Sequence, residues 1–450
     1  MTERDHKRRS STTHVVIASL IGTSVEYYDF YIFGIAAALV LGPQFFPQMS
    51  PTAGLLASFA TFGVGFVARP IGAIVFGHYG DRVGRRTMLI ITLLLMGIAT
   101  FVIGLLPNYA SIGIWAPILL VAMRVIQGIG LGGEWGGAAL LAAEYAPAKR
   151  RGAFVSAPQF GSAAGLFLAS GVFLLARALM SEDEFVDWGW RIPFLASALL
   201  VIFGYVIRYN LHETPAFQRV KDAGQVAKVP LFEVFRTQPS RVFLVAGAFL
   251  FNATAFYTIT TFVLAYSKTI PGLAGQPNTP LIANMVGAVS LGVGILFFSA
   301  LSDKIGRKRT IIPIYLSWIV YVFVMFWLAN MGTLLSFILA ISIGTFLTSA
   351  HGPLGALYLE QFDTRVRYTG AGVGQQIGAV IGGGIGPVLA VKLNETYGLI
   401  GVELYIVAVA ILSSLAVLGC REAAGKNIEI TEKEADSTKS SAFPELSQKA

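Results

Sequence analysis

Two short stretches of this chain are near-copies of each other: G-H-Y-G-D-R-V-G-R-R at residues 77–86 and S-A-L-S-D-K-I-G-R-K-R at residues 299–309. Each follows a long apolar run, and Asp81 of the first copy corresponds to Asp303 of the second. Glycines permit a tight turn between helices, an acid can meet the positive end of a helix, and basic residues hold a loop at a membrane surface. The repeat predicts two related halves built from helices.

A second repeat supports this duplication. Q-F-G at residues 159–161 in one apolar run matches Q-I-G at residues 376–378 in a later one. Two six-helix halves related by duplication are typical of alternating-access transporters, which hold the substrate between the halves near the middle of the membrane.

The composition requires lipid. Of 450 residues, 55% are hydrophobic and 13% are charged, against about 25% charged in ordinary soluble domains. Apolar runs of about 20 residues are long enough to cross a bilayer, and backbone groups in lipid must then be satisfied by helix. The predicted fold is an all-α membrane protein with twelve transmembrane helices in two six-helix bundles. The predicted helices cover residues 15–42, 53–78, 87–106, 113–142, 152–177, 192–211, 241–267, 281–301, 310–330, 333–359, 368–393 and 399–420.

The charged segments divide the chain and orient it. Of 33 lysines and arginines, Arg69 and Arg124 fall inside helices, and the outer loops and helix ends carry Arg177, Arg191, Lys268 and Lys392. The others gather on the opposite side, which predicts that both termini face the cytoplasm. The predicted domains are a tail at 1–14, a bundle at 15–211, a linker at 212–240, a bundle at 241–420 and a disordered tail at 421–450.

Charges inside membrane helices are costly and mark functional candidates. Glu26 and Asp29 lie on one face of the first helix. Asp29 is about 21 Å from the cytoplasmic end of its helix, and Arg124 of the fourth helix is about 15 Å from the outer end. These depths agree, so an ion pair of Arg124 with Asp29 or Glu26 is predicted.

Three roles for such a pair remain open. Removal from water favours a neutral carboxyl and a neighbouring arginine favours a charged one, so small rearrangements can couple transport to protons. Arg124 can instead bind a substrate carboxylate in bidentate fashion, or the pair can be a static link between helices. Which of Glu26 and Asp29 takes up the proton is also left open.

Neutral polar side chains complete the predicted substrate site. Gln127 and Trp135 share a stripe with Arg124 on the fourth helix, whose glycines are expected to pack against a neighbouring helix. Histidine has an ordinary pKa near neutrality, which makes His351 a candidate, but a lone membrane histidine is more often a packing residue. The predicted substrate-binding residues are Arg124, Gln127, Tyr27, Trp135, Asn252, Tyr257, Gln375 and Gln376.

Gating is predicted at the repeated loops, where Asp81 and Asp303 act as latches that release as the halves rock. A pair between Arg69 and Glu134, at similar depths, has a structural and a gating interpretation of equal weight. The predicted gating residues are Gly77, Asp81, Arg82, Gly84, Arg85, Arg86, Asp303, Gly306, Arg307, Arg69 and Glu134.

Other function classes lack support. The basic residues form no face interleaved with aromatics, which argues against nucleic-acid binding. There is no P-loop motif, metal-ligand spacing or nucleophile triad, so neither a cofactor nor a metal is expected. The single cysteine, Cys420, has no intrachain disulfide partner. A monomer in the lipid bilayer is expected.

Six segments of the membrane portion together match a known family. They are V-E-Y-Y-D-F-Y (25–31), F-V-A-R-P-I-G (66–72), the loop at 77–86, R-V-I-Q-G-I-G-L-G-G-E-W-G-G (124–137), Y-A-P-A-K-R-R-G (145–152) and T-R-V-R-Y-T-G (364–370). Through them the membrane portion resembles the major facilitator superfamily, and more narrowly the bacterial metabolite:proton symporters, which include carriers of shikimate, α-ketoglutarate, citrate, and proline or betaine. The first half is most similar to the shikimate type. The resemblance implies import by symport with protons across a bacterial inner membrane, with the acids of the first helix and Arg124 in the central site.

Three departures bear on this resemblance. Ser299 stands where the first loop copy has Gly77, so the two latches need not be equivalent. The tail lacks the coiled coil of osmosensing members, and the fifth helix lacks the glycine-proline signature of drug antiporters, which favours import. The predicted function is therefore a proton symporter that imports a small organic acid or zwitterion. The alternatives are an uncoupled facilitator or proton-antiport exporter of the same fold, and a membrane enzyme or sensor.

Overall fold

The structure, a computed structural model, describes residues 3–83, 85–132, 146, 150–209, 230–273, 275–362 and 366–425. Twelve long helical segments occur in these ranges. They are α1 (Glu3–Leu39), α2 (Pro51–Val83), α3 (Arg85–Leu105), α4 (Trp115–Gly132), α5 (Arg151–Ala178), α6 (Ile192–Tyr209), α7 (Pro239–Tyr257, continued through Thr258–Val263 to Leu264–Tyr266), α8 (Thr279–Ile305), α9 (Arg307–Asn330), α10 (Leu334–Leu347 and His351–Leu359), α11 (Arg367–Ala379, Val380–Ile385 and Gly386–Tyr397) and α12 (Leu399–Gly419).

Short helices lie in the connections at Leu41–Phe45, Tyr109–Ile112, Glu182–Asp187, Gly189–Arg191, Pro230–Thr237 and Ser267–Thr269. Within the described residues, ten helices are long and apolar enough to span a membrane, and α3 carries a shorter apolar stretch, Ile90–Leu105. The predicted all-α membrane fold is confirmed. The linker at 212–229 and the tail beyond 425 lie outside the described residues, so the predicted domain limits stay predictions.

Helix ends differ from the sequence estimates where turn signals are weak. α1 begins at Glu3, inside the predicted tail, because residues 3–14 contain no proline or glycine to stop a helix. α8 runs to Ile305 and ends at Gly306, whose φ of 101° is one that glycine adopts without strain. Most of the second loop copy, residues 299–305, therefore forms about the last two turns of α8.

Three helices that line the centre are irregular. α10 is interrupted at 348–350, where Pro353 supplies no N–H for the carbonyl of Ser349. α7 and α11 each contain a π-helical turn, at Thr258–Val263 and Val380–Ile385, and such turns often mark functional sites. The glycine-rich segment of α11 packs closely against α2, because a Cβ on Gly63 of α2 would lie 2.7 Å from the Gly384 carbonyl oxygen.

The helices pack as two groups of six. In the first group α1 packs against α5, α2 against α4 and α3 against α6; in the second α8 packs against α10, α7 against α11 and α9 against α12. The groups meet chiefly where α5 contacts α8 and α2 contacts α11. We call the end where α5 begins and α12 ends the terminal face, and the end where α1 stops and α2 begins the far face.

The expected close packing of α4 glycines is also confirmed. A Cβ on Gly128 would collide with the Gly65 carbonyl of α2, and one on Gly132 would collide with the Arg69 carbonyl. These contacts set the distance between α2 and α4, and α2 carries one of the buried arginines. The backbone approach therefore positions the site as well as stabilising the bundle.

Gly128→Val is expected to lower the Tm of the purified protein by several degrees, because overpacking at a backbone contact costs about 3 kcal/mol. Gly372→Val in α11 is the matched control, since a Cβ there meets nothing within 4 Å. Equal Tm values for the two variants in a thermal unfolding scan would contradict the predicted role of Gly128.

Candidate substrate and proton site

A small cavity lies between the two halves near the middle of the bundle. Its volume is about 40 Å³, which is room for roughly three water molecules. A metabolite therefore enters only when the halves separate. The cavity is lined by Tyr27, Tyr31, Phe66, Arg69, Ser162, Phe249, Asn252, Ala253, Phe256, Tyr257, Leu291, Thr348, His351, Gln375 and Ala379.

Four of the predicted substrate residues line this cavity, namely Tyr27, Asn252, Tyr257 and Gln375. Gln376 is buried but is not part of the lining. The structure adds to the lining several residues that were not assigned to substrate, among them Tyr31, Ser162 and Arg69. His351, expected to be a packing residue, also faces the cavity, and its Nδ1 has no hydrogen-bond partner among the described residues. Trp135 lies outside the described residues.

Arg124 is fully buried beside the cavity rather than in its lining. Its Nη1 donates to Gln127 Oε1 at 2.8 Å, and its Nη2 donates to the Phe62 carbonyl at 3.0 Å. The guanidinium carbon lies 4.2 Å from the centre of the Phe33 ring and 4.8 Å from that of Phe30. Cation–π contacts of this kind stabilise a desolvated arginine.

A polar path leads from Arg124 to Asp29. Gln127 Nε2 donates to Thr100 Oγ1 at 2.6 Å, and Thr100 in turn donates to the Met96 carbonyl at 2.9 Å. Thr100 lies close enough to Asp29 to interact with it. Asp29 is fully buried, and among the described residues neither of its carboxylate oxygens has a partner at hydrogen-bond geometry. Glu26 is also buried.

The predicted ion pair of Arg124 with Asp29 or Glu26 is not formed in this structure. Gln127 lies one helical turn from Arg124 and captures the guanidinium locally, while the Phe62 carbonyl takes a second donor. The prediction rested on the similar depths of Arg124 and Asp29 in the membrane. In the structure, the side chains of Thr100 and Gln127 separate the two charged groups.

Arg69 packs against an aromatic wall, formed by Phe30, Phe62 and Phe66, that Arg124 also contacts. Its guanidinium carbon lies 4.3 Å from the Phe30 centroid and 4.2 Å from the Phe66 centroid. Arg69 interacts with the side chain of Tyr257, but its Nε and Nη2 have no hydrogen-bond partner among the described residues. The Phe30 ring thus contacts both buried arginines.

At the terminal face, Asp303 joins the two halves. Its Oδ1 accepts from the backbone N–H of Gly152, and its Oδ2 from that of Ala153, both at 2.9 Å. These N–H groups belong to the first turn of α5, where helices have donors without internal partners and a partial positive charge. An acid at the end of α8 therefore caps a helix of the other half, as the loop motif indicated.

Two arginines and Glu360 extend this contact. Arg307 pairs with Asp303 at 2.7 Å and with Glu360 at 3.2 Å, and Arg151 reaches the same Glu360 oxygen at 3.5 Å. Burial raises the pKa of the Glu360 carboxyl, and Arg307 and Arg151 only partly offset that effect. We call these four residues the α5–α8 latch. Glu360 and Arg151 were not predicted from the sequence. Both lie at helix ends, where a charged residue is counted with the loop and taken to be solvated.

The far face is also closed by a contact between the halves. Lys268, at the end of α7, donates from Nζ to the Leu39 carbonyl at 2.9 Å, at the C-terminus of α1. A cation is favourable at that end of a helix. Contacts between described residues thus join the two halves at both faces, and we refer to this arrangement as the occluded conformation.

The remaining predicted gating residues divide by position. Gly306 ends α8, as described above. Gly84 and Glu134 lie outside the described residues, which leaves the Arg69–Glu134 pair a prediction, although Arg69 lies in the cavity lining. For the rest of the first loop copy the structure describes only the backbone; these residues are Gly77, Asp81, Arg82, Arg85 and Arg86.

Comparisons with known proteins agree with this architecture. Residues 14–240 match the family described as sugar (and other) transporter, and residues 138–370 match MFS/sugar transport protein. The chain is 43% identical over 422 residues to the inner membrane metabolite transport protein YhjE of Escherichia coli K12, covering 92% of this chain and 96% of that protein. It is 38% identical over 418 residues to the shikimate transporter of the same strain, covering 91% and 94%.

The fold matches a solved transporter structure over nearly its full length. The proton:xylose symporter XylE of Escherichia coli superposes with a TM-score of 0.74 at 18% identity, covering 95% of this chain and 99% of that one. These families and relatives are transporters rather than enzymes. The chain is thus a multi-pass membrane transport protein that belongs to the major facilitator superfamily.

Proposed function

We propose that this protein imports a small organic acid across the bacterial inner membrane by symport with a proton. The observation that carries the proposal is the placement of Asp29. Its buried carboxyl lacks an ionic partner among the described residues, and it lies beside Thr100, which connects through Gln127 to Arg124. A carboxyl in this position changes its interactions strongly when it gains or loses a proton.

The proton step follows from the local charges. In the occluded conformation a proton on Asp29 removes a negative charge that no described cation balances. When the proton leaves, the carboxylate needs a cation, and Arg124 is separated from it by the Gln127 and Thr100 side chains. Movement of Arg124 from Gln127 to Asp29 would form the pair expected from the sequence, and it would withdraw the guanidinium from the Phe62 carbonyl of α2.

Such a movement reaches the substrate cavity through the aromatic wall. Phe30 contacts the guanidiniums of both Arg124 and Arg69, so displacement of one alters the packing and the field at the other. The α5–α8 latch at the terminal face, which we assign to the cytoplasm from the lysine and arginine bias, opens when the substrate is released. Lys268 and Leu39 close the outer face.

Proton uptake by proteoliposomes tests the proposal. With the protein reconstituted and an external pH dye present, addition of a transported acid is expected to alkalinise the medium with a fixed ratio to labelled substrate uptake. Substrate flux with no pH response would identify an uncoupled facilitator, and acidification would identify an antiporter. Either result would overturn proton symport.

A further inference from the structure

We propose that Arg69 anchors the substrate carboxylate, and that the substrate is a hydroxylated monocarboxylate rather than a zwitterion or a tricarboxylate. The inference rests on the proposed function, because it takes the central cavity as the transport site. It departs from the sequence-based assignment, which gave the carboxylate to Arg124 and gating to Arg69.

The guanidinium of Arg69 is buried and incompletely bonded. The residue is 7% exposed, lines the cavity and has unpaired Nε and Nη2 groups among the described residues. Among the described residues its charge meets the Phe30 and Phe66 faces and the side chains of Tyr257, Tyr27 and Tyr31, and no acid lines the cavity. A buried cation with free donors is costly, and a bound carboxylate removes that cost by accepting charge-assisted hydrogen bonds.

Arg124 lacks this opportunity. Its two Nη groups already donate to Gln127 and to the Phe62 carbonyl, its guanidinium is packed on Phe33, and Arg124 is not part of the cavity lining. Among the described residues only its Nε lacks a partner. A substrate in the cavity reaches Arg69 without disturbing these contacts. The two arginines therefore have different roles. Arg69 binds the substrate, and Arg124 interacts with the proton-binding carboxyl of Asp29.

The lining carries one formal charge among the described residues, that of Arg69, and no acid. One carboxylate neutralises it, whereas a tricarboxylate would bring excess negative charge into an apolar site. The ammonium of a zwitterion would lie near Arg69 without a counter-ion. The aromatic faces able to accept it are covered in part, because Tyr27 stacks on Tyr31 at 5.4 Å and Arg69 itself covers Phe66.

Two polar residues of the cavity lining in the second half favour a ligand with hydroxyl groups. Gln375 Oε1 and His351 Nδ1 both line the cavity, and neither has a hydrogen-bond partner among the described residues. An amide oxygen accepts, and an imidazole nitrogen accepts or donates according to its tautomer. A ligand with a carboxylate at one end and hydroxyls at the other would satisfy Arg69, Gln375 and His351 together.

Ligand binding to the purified protein tests the substrate class. Thermal-shift titrations would use shikimate, quinate, the methyl ester of shikimate, citrate, proline and betaine. Shikimate or quinate is expected to raise the Tm, and the ester is expected to have no effect because it lacks the charge. Equal stabilisation by acid and ester, stabilisation only by betaine, proline or citrate, or none by either hydroxy acid would overturn the assignment.

Variants of Arg69 test the anchor. Arg69→Gln is expected to raise the apparent Kd for the stabilising acid about 100-fold, and Arg69→Lys is expected to recover part of that loss by keeping the charge. Arg236→Gln, an exposed arginine outside the membrane helices, is the matched control. Should Arg69→Gln fold and bind with wild-type affinity, Arg69 is not the anchor.

These measurements separate the inference from the proposed function. Binding to the detergent-purified protein needs no proton gradient, so failure of proton coupling in vesicles leaves the Arg69 result intact. Conversely, proton-coupled uptake by Arg69→Gln at unchanged affinity would remove the anchor and leave symport standing.

Discussion

Asp29→Asn protein in proteoliposomes is expected to exchange labelled substrate across the membrane and yet fail to accumulate it against a gradient. The amide reproduces the neutral form of a carboxyl that lies buried without an ionic partner among the described residues, so the occluded conformation remains accessible. It cannot release a proton, and the proposed movement of Arg124 toward a carboxylate is lost. Proton-driven accumulation should fall to background while counterflow persists.

The measurement compares two assays on the same vesicles, uptake driven by an inward proton gradient and counterflow with preloaded substrate. Asp187→Asn, at an exposed acid in the Glu182–Asp187 helix, controls for loss of one negative charge. Glu26→Gln decides between the two acids of α1. Only substitution of the residue that carries the proton should abolish accumulation and leave exchange intact. Normal gradient-driven accumulation by Asp29→Asn would clear Asp29 of the coupling role.

Asp303→Ala is expected to open the terminal face. The Asp303 carboxylate holds two backbone N–H groups of α5 and the guanidinium of Arg307, so it joins the halves by charge-assisted bonds. Removing them costs the closed state about 2 kcal/mol, which shifts the equilibrium toward the open state roughly 30-fold. Asp303→Asn retains one acceptor oxygen and should give an intermediate shift.

Cysteine labelling measures this shift. The chain has a single cysteine, Cys420, which is buried, so a Cys420→Ser background leaves the protein free of thiols. Ser162→Cys then places a thiol in the cavity lining. The rate of its reaction with a membrane-impermeant reagent from the terminal face should rise in Asp303→Ala and not in Asp187→Asn. An unchanged labelling rate would remove Asp303 from the gate.

Hydropathy located the helices because each apolar run must be about as long as the bilayer is thick. It did not reveal the interruption of α10 or the π-helical turns of α7 and α11, since an average over many residues does not resolve one missing backbone hydrogen bond. Pro353 was a visible signal for the interruption. The two loop copies fixed where Asp303 would lie, and the structure shows the helix end that it meets.

The candidate site was harder to predict, because depth in the membrane says nothing about rotation of a helix. Arg69 and Arg124 were both recognised as buried charges, but only packing shows that Arg69 faces the cavity and that Arg124 faces Gln127 and Phe62. Glu360 was missed for a related reason. A charge at a helix end looks solvated in sequence, and only the approach of Arg151 and Arg307 from two helices shows that it is enclosed.

The backbone contact between Gly63 and Gly384 limits how the two halves can move. Each glycine lies near the midpoint of its membrane span, Pro51–Phe76 and Thr369–Tyr397, and the main chains there touch with no side chain between them to deform. We expect α2 and α11 to rotate about this contact but not to slide far past each other, so that the contact serves as a pivot between the two halves. Spin labels near it should keep their separation through the transport cycle, while pairs at the two faces lengthen and shorten in opposite phase.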